Sequence, residues 1–292
     1  MNVLIAKTVD ECKQWTDVAV VVDVLRASTT LCSLLDRGKK EVLVFDQADQ
    51  AESFVKAHSD FEVYSDMDLS VSHEDNSPYL ASKSNARRPA LLVTAEGTPA
   101  MLCVQEASLV LLGGFCNFYA LAETLAAQTK DVLLVPSSLF GVSDDVEDGL
   151  CVSALKDYIQ GIGSPQEAIV EFNNTMRYGE FMKQGPKTAD KDAKLAFKVN
   201  GIPVVPQISF SAEGYGVCYM YGQPAPAQWL GQQAAPAVQQ PADDPEPAVR
   251  PDAEIPVPAA VTPAEELPAE PTAPIPVQTA EQVAETPAEN TA

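Results

Sequence analysis

Short apolar runs alternate with amphipathic stretches over roughly the first 220 residues of the chain. Runs of four to eight apolar residues are typical of buried strands, whereas the longer stretches have helical spacing. Strands are predicted at Val3–Ala6, Val18–Leu25, Glu41–Phe45, Glu62–Ser65, Ala90–Thr94, Leu109–Leu112 and Asp131–Val135. Helices between them are predicted at Ser28–Arg37, Ala48–Ala57, Asn117–Ala127 and Asp145–Ile159. This alternation predicts an α/β fold with three layers, in which helices flank a mainly parallel or mixed sheet.

The composition changes sharply near Gly231. Residues 231–292 hold 13 of the chain's 23 prolines, no aromatic residue, and eleven acidic residues against the single Arg250. Such a segment buries too little apolar surface to offset the entropy that ordering costs. We therefore predict an α/β domain over residues 1–221 and a disordered, acidic Pro/Ala/Glu-rich tail over residues 222–292.

Charge and cysteine usage exclude several classes of partner. The formal net charge is −22 at pH 7, so nucleic acid, whose binding needs clustered Lys and Arg, is not expected as a partner. No apolar run reaches the length of a membrane span, and the N-terminus does not resemble a signal peptide. The six cysteines lack metal-binding spacing, which is typical of reduced thiols. A cytoplasmic protein without a membrane partner is predicted.

Charged side chains follow the second predicted strand, in the stretch "VVVDVLRASTT". Asp23 and Arg26 are costly to bury unless they are paired, hydrogen-bonded or bound to a metal. Asp23 is suited to a hard divalent cation and Arg26 to a phosphate or sulfonate, while Ser28 or Thr29 is placed to cap an anion-binding helix start. A buried Asp–Arg pair that ties the strand to the helix explains the same pattern. Both interpretations stay open at this point.

A second cluster of charge lies in "GVSDDVEDGLCVSAL". Asp144, Asp145, Glu147 and Asp148 place four carboxylates within five positions at a predicted helix start. Acidic residues complement the helix dipole there, so a solvated helix start is one interpretation. Like charges this close repel one another unless a cation lies between them, which makes a metal site the other.

Polar residues also follow other strands, and common catalytic motifs are missing. Asn76-Ser77-Pro78, Thr94–Pro99, and the glycine pair before Asn117 all read as turns that lead into helices. Ligands of open parallel sheets bind beyond the carboxyl ends of the strands. If the sheet is parallel, we therefore expect the polar residues after four strands to meet at one rim: Asp23–Thr29, Thr94–Thr98, Gly113–Asn117 and Pro136–Asp148. Motifs for a phosphate loop, a dinucleotide site, a serine-hydrolase elbow and a zinc protease are absent from the sequence.

The order of these motifs resembles that of the 2-phosphosulfolactate phosphatase family. The matching residues are "VVVDVLRASTT", "NSP", "T-x-x-GT", the glycine pair with Asn117, "ED-x-L-C-x-x-A-L" and the closing segment "DKDAKLAFKVNGIPVVPQI", within about residues 1–212. Family members are magnesium-dependent acid phosphatases of coenzyme M biosynthesis. The resemblance therefore implies a phosphoric monoester hydrolase that uses Mg²⁺ and acts on 2-phosphosulfolactate or another small phosphorylated hydroxy acid.

The resemblance also implies a role for each motif in a single site. The implied catalytic residues are Asp23, Arg26, Asn76, Glu147 and Asp148. The implied metal ligands are Asp23, Glu147 and Asp148. The implied substrate-binding residues are Ser28, Thr29, Gly97, Thr98 and Asn117. The nucleophile is either an aspartate or water. A homo-oligomer is left open, and the tail is expected to bind a protein partner of unknown identity.

Several positions depart from the family pattern and make the site more negative. Ser72 and His73 stand where the family has a phenylalanine-aspartate pair, and Asp75 where it has glycine. Glu96 replaces asparagine, and Pro99 replaces a basic residue. A doubly anionic substrate binds less well to a more negative pocket. The alternative hypothesis is a catalytically weakened family member that acts as an interaction protein through its acidic tail.

Overall fold

A computed structural model describes residues 1–141 and 146–230. The strands are β1 (Val3–Ile5), β2 (Val18–Val22), β3 (Glu41–Phe45), β4 (Glu62–Ser65), β5 (Glu74–Asp75), β6 (Ala90–Val93), β7 (Leu109–Gly113), β8 (Val132–Pro136), β9 (Pro206–Phe210) and β10 (Gly216–Met220). The helices are α1 (Val9–Gln14), α2 (Ala27–Asp36), α3 (Ala48–Ala57), α4 (Pro78–Ala81), α5 (Gly97–Cys103), α6 (Phe118–Ala126), α7 (Val146–Ile159), α8 (Pro165–Asn173), α9 (Met176–Gln184), α10 (Ala189–Ala196) and α11 (Ala227–Leu230). Short 3₁₀ helices cover Phe115–Asn117 and Ser137–Phe140.

The described strands form one mixed sheet in the order β1-β8-β2-β7-β9-β10-β3-β6-β4-β5. Strands β1, β8, β2 and β7 are mutually parallel, and so are β3, β6, β4 and β5. The hairpin of β9 and β10 joins the two sets, and each of its strands is antiparallel to its neighbours. The prediction of an α/β fold with a mixed sheet is confirmed.

Helices cover both faces of the sheet, because the central strands are apolar on both sides. In β2, Ala19 and Val21 belong to a core shared with α2, α4 and α5 on one face. Val18, Val20 and Val22 face the opposite core, which includes side chains of α6 and α7. Burial on both faces explains why the run reads as continuously apolar rather than alternating. The three predicted layers are therefore present.

The prediction that four parallel strands end at one rim is wrong for β6, although the residues that follow β6 do meet those that follow β2. The two parallel sets run in opposite directions, so the carboxyl ends of β2 and β6 do not lie on one edge of the sheet. Helix α5, rather than a shared edge of the sheet, brings the segment after β6 to the end of β2. Helix α5 lies on the same face as α2 and contacts it.

The folded chain continues past the predicted boundary at Tyr221. Leu230 is only 3% exposed, and the Trp229 ring lies 5.6 Å from that of Phe61. The indole Nε1–H of Trp229 donates to Glu41 at 3.2 Å. Trp229 and Leu230 thus pack on the domain, beyond the boundary predicted at Tyr221. Residues 231–292 lie outside the described residues, so the disordered tail stays a prediction.

Two further observations concern the cysteines and the helices. All six cysteines are free thiols, five of them buried. Among the described residues, no helix combines the length and apolar character required to cross a membrane.

Replacing Leu230 with Ala tests the corrected boundary. Leu230 is buried in a core shared with α3 and β3, so we expect the L230A variant to lose about 2 kcal/mol of unfolding free energy. Denaturant unfolding measures the loss. Ile162, which is 58% exposed, provides the matched control, and I162A should change stability by less than about 0.5 kcal/mol. Equal effects of both variants would contradict the assignment.

Candidate active site

A polar pocket of about 190 Å³ lies where the segments that follow β2, β4, β6 and β8 meet. Its lining residues are Asp23, Leu25, Arg26, Asp66, Ala95, Glu96, Gly97, Ser137 and Arg177. Three carboxylates and two guanidinium groups therefore face one small volume. Of the predicted site residues, Asp23, Arg26 and Gly97 line it directly.

Asp23 closes the turn between β2 and α2. Its Oδ1 accepts from the backbone N–H of Ala27 at 2.8 Å, and its carbonyl accepts from the N–H of Ser28 at 3.2 Å. The Ser28 hydroxyl accepts from the N–H of Asp23, and the Thr29 hydroxyl donates to the carbonyl of Val24. Ser28 and Thr29 are completely buried and do not line the pocket. Their hydroxyl groups therefore build the turn, and substrate binding by these two residues stays a prediction.

Gly97 lies directly against the carboxylate of Asp23. A Cβ at position 97 would come within 2.1 Å of Asp23 Oδ2 and 2.6 Å of the Ala27 Cβ, so only glycine fits. Thr98, by contrast, is fully buried, and its N–H donates to the Thr94 hydroxyl at 2.9 Å. The Thr94 N–H donates in return to the Thr98 hydroxyl. Thr98 thus stabilises its own turn, and its N–H is not available for a phosphate.

Arg26 is held by two carboxylates from distant parts of the chain. Its Nη1 and Nη2 donate to the two oxygens of Asp75 at 2.6 and 2.9 Å, and Nη1 lies 3.3 Å from Asp192 Oδ2. Asp192 is fully buried and also accepts from the hydroxyls of Ser77 and Thr188, both at 2.6 Å. Burial lowers the pKa of Arg26, but the hydrogen bonds and charges of Asp75 and Asp192 outweigh it, and the pKa is raised. The guanidinium therefore stays charged.

Asp148 ties the end of β2 to the end of β8. Its Oδ1 accepts from the N–H of Val24 at 2.8 Å, and its Oδ2 accepts from the Ser137 hydroxyl at 2.7 Å and the Ser138 N–H at 3.3 Å. Burial, followed by the charges of Asp23 and Glu147, raises the pKa of Asp148 well above its usual range. Asp148 lies beside the pocket. Ser137, whose hydroxyl donates to Asp148, is the residue that lines the pocket.

Glu147 positions an arginine that no sequence motif identified. Its buried side chain accepts from Nη2 of Arg177 at 3.3 Å through Oε1, and Arg177 lines the pocket from α9. Helix α9 carries no recognised motif, so only the folded structure shows that Arg177 lies in the site. The neighbouring carboxylates Asp144 and Asp145 lie outside the described residues.

The three predicted metal ligands are close enough to influence one another, but they do not form a ligand set. Within residues 1–141 and 146–230, no three His, Cys, Asp or Glu side chains are arranged to hold a metal ion. Both oxygens of Asp148 accept hydrogen bonds from the protein, and Glu147 engages Arg177. Of the three, only Asp23 lines the pocket, together with Asp66 and Glu96.

The two predicted asparagines have different surroundings. Asn117 is fully buried, where its Oδ1 accepts from Gly114 N–H and its Nδ2 donates to the carbonyl of Val204, so it has a structural role outside the pocket. Asn76 Nδ2 donates to Asp66 Oδ2 at 3.2 Å. Asn76 therefore acts on the pocket through Asp66, a lining residue that sequence reasoning missed although it directly follows β4.

The contact between Gly97 and Asp23 is tested with alanine. The G97A variant would place its methyl group on the Asp23 carboxylate, so we expect a loss of at least about 2 kcal/mol of unfolding free energy. The control is Gly149, an α7 residue whose added Cβ would meet no atom within 4 Å. Because alanine favours helix, G149A should gain about 0.5 to 1 kcal/mol. Thermal and denaturant unfolding measure both, and a harmless G97A would rule out the close contact.

Replacing Asp148 with Asn tests its raised pKa. Folding raises the pKa of Asp148, so the protonated carboxyl stabilises the wild-type protein at a pH below the pKa of the unfolded state. This contribution to the free energy of unfolding is lost as the pH rises through the pKa of the folded state. Asparagine does not titrate there. In EDTA, we expect the melting temperature of D148N relative to wild type to rise by at least about 2 °C between pH 4 and pH 8. A difference independent of pH would show that Asp148 titrates normally.

Comparison with known proteins gives a consistent match. The family model described as 2-phosphosulpholactate phosphatase matches residues 3–196. A protein of Symbiobacterium thermophilum named "Probable 2-phosphosulfolactate phosphatase" is 30% identical over 158 residues, which cover 51% of this chain and 66% of the relative. A protein of Thermosynechococcus vestitus with the same name is 30% identical over 50% of this chain and 62% of its own length. Another of Clostridium tetani is 26% identical over 64% of this chain and 88% of its own length.

The matched segment contains every residue that lines the pocket. The chain spans just under two thirds of the length of the Symbiobacterium and Thermosynechococcus relatives. Since the family model covers well over half of the chain, the protein belongs to the 2-phosphosulpholactate phosphatase family.

Proposed function

We propose that this protein is a phosphatase that hydrolyses a small phosphorylated hydroxy acid in the cytoplasm, with 2-phosphosulfolactate as the first candidate substrate. The observation that carries the proposal is the meeting of Asp23, Arg26 and Arg177 in one pocket of a member of this family. A carboxylate beside two guanidinium groups suits an electrophilic phosphoryl group whose oxygens carry negative charge.

The two arginines are the groups suited to bind the phosphoryl oxygens. A guanidinium is planar, always charged, and donates along two of its edges to phosphate. Arg26 approaches from the end of β2 and Arg177 from α9, so the anion would be held from two separate elements. Buried acids orient both arginines, namely Asp192 for Arg26 and Glu147 for Arg177.

Asp23 is the residue best placed to act at phosphorus. The N–H of Ala27 fixes one of its oxygens, so the carboxylate is oriented before the substrate arrives. Asp23 either attacks phosphorus itself, or it orients a water molecule that attacks. In both routes the ester P–O bond breaks, one water is consumed, and inorganic phosphate and the free hydroxy acid leave. Asp148 positions the β2–α2 turn and does not contact the substrate in this scheme.

We further propose that the reaction depends on Mg²⁺. Mg²⁺ is commonly held by one or two carboxylates, with waters and substrate phosphate as the remaining ligands. Asp23 fits this smaller donor set, and Asp66 and Glu96 line the same pocket. When bound, the ion would neutralise charge that develops on the phosphoryl group.

Phosphate release from a panel of phosphorylated hydroxy acids, including 2-phosphosulfolactate, tests this function with Mg²⁺ and with EDTA. We expect turnover in Mg²⁺ that EDTA abolishes. The D23N variant should lose at least about 100-fold in kcat, because the group that acts at phosphorus is gone. Glu74→Gln, a change of equal charge at an exposed residue, is the control and should retain wild-type kcat. Full activity of D23N would exclude the assigned role.

A second candidate is an interaction protein with little or no catalysis. It is favoured by one observation, the engagement of both terminal nitrogens of Arg26 by Asp75. If the folded protein releases no phosphate from any member of the panel, in Mg²⁺ or in Mn²⁺, this candidate replaces the first.

A further inference from the structure

We propose that Asp75 sets the anion selectivity of the pocket by holding and partly neutralising Arg26. The inference rests on the proposed function, since it takes the phosphoryl group of the substrate as the anion that meets Arg26. It goes beyond that function by assigning a residue that determines specificity. Asp75 lowers the affinity for a phosphorylated hydroxy acid more strongly when the acid carries more anionic groups besides its phosphate.

The geometry of the Arg26–Asp75 pair leaves an incoming anion two ways to bind. The two oxygens of Asp75 accept from Nη1 and Nη2 at 2.6 and 2.9 Å, which occupies the end-on edge of the guanidinium. A phosphate must displace Asp75 from this edge or use the side edge formed by Nε and the second Nη2 hydrogen. In either case it meets a guanidinium whose charge a carboxylate already offsets.

The other charged groups around the pocket do not restore the positive charge that Asp75 offsets. The lining carboxylates Asp23, Asp66 and Glu96 outnumber Arg26 and Arg177 among the described residues. Each of these arginines is also paired with an acid, Arg26 with Asp75 and Asp192, and Arg177 with Glu147. A pocket without excess positive charge disfavours a second anionic group on the substrate more than it disfavours the first.

Asp75 is the part of this arrangement that can be changed without dismantling it. Its side chain is 32% exposed, whereas that of Asp192 is fully buried. Removing the Asp75 charge leaves Arg26 paired with Asp192, so no buried charge is left without a partner. Asp75 lies in β5, a two-residue strand at the edge of the sheet. Its neighbour Glu74 is exposed, which offers a matched control.

Calorimetric titration with inorganic phosphate tests the proposal without requiring turnover. We expect D75N to bind phosphate about tenfold more tightly than wild type, which corresponds to about 1.4 kcal/mol. Glu74→Gln removes the same charge one residue away and should change the dissociation constant by less than about twofold, because exposed charges are screened by salt. D75A is the second variant, since alanine cannot hydrogen-bond to Arg26 as asparagine can.

Selectivity is measured with a matched pair of ligands, phosphoglycolate and ethyl phosphate. Phosphoglycolate carries a carboxylate in addition to the phosphate, so D75N and D75A should improve its binding more than that of ethyl phosphate. A role that is only structural would weaken the binding of both ligands equally.

Two results would overturn the proposal. The first is unchanged or weaker phosphate binding by D75N and D75A with wild-type melting transitions, which would show that Asp75 only orients Arg26. The second is loss of the melting transition in both variants, which would make Asp75 a structural residue. Failure of the proposed function is distinguishable, because a protein that hydrolyses no ester still gives a binding result for each variant.

Discussion

The turn between β2 and α2 is held by two buried carboxylates, and the pocket depends on it. Asp23 accepts from Ala27 at the start of α2, while Asp148 accepts from Val24 within the same turn. Hydrogen bonds to a charged acceptor contribute about 1.5 to 3 kcal/mol each, but burying a carboxylate costs several kcal/mol. The net gain in stability is small on this scale. What the pair provides is a fixed position for Asp23 and Arg26.

The direction of the strands explains why the site lies over a face and not along one edge. Because β9 and β10 are inserted between two parallel sets, the sets end at opposite edges of the sheet. A site that needs side chains from both sets must then be assembled by the segments that cross the face. The close fit of Gly97 on Asp23 is the point at which α5 and α2 complete that assembly.

Local sequence patterns predict the strands and helices. They do not predict which groups the polar side chains bind. The apolar runs located β2, β3, β4, β6, β7 and β8 within a few residues, because burial on both faces leaves a clear signal. The antiparallel direction of β9 and β10 depends on which strands pair. The periodicity of the sequence carries no information on this pairing. Ser28, Thr29, Thr98 and Asn117 were correctly seen as polar residues at turns. Whether their hydrogen bonds go to a ligand or to the backbone depends on contacts between distant segments.

The residues that sequence reasoning missed share a physical cause. Arg177 and Asp66 enter the site from segments without a recognised pattern, and Asp192 lies in the closing segment "DKDAKLAFKVNGIPVVPQI" without any sign of its partner. Arg177 and Asp192 are bound to residues 30 and 166 positions away. The pairing of Arg26 with Asp192 joins positions that are 166 residues apart. A single sequence carries no signal for such a pair, because either side chain alone is an ordinary charged residue.

The acids that hold the two arginines couple the pocket to the helices of the second half of the domain. Asp192 belongs to α10 and Glu147 to α7, while α10 also contacts α4 next to Asp75. Removing one partner of a buried ion pair costs about 3 to 5 kcal/mol, because the other charge is left without compensation. Asp192, which is fully buried, would therefore be unfavourable in its position until Arg26 faces it, whereas Arg26 also has Asp75 as a partner. The binding groups of the pocket are thus in place only when both halves of the domain have folded.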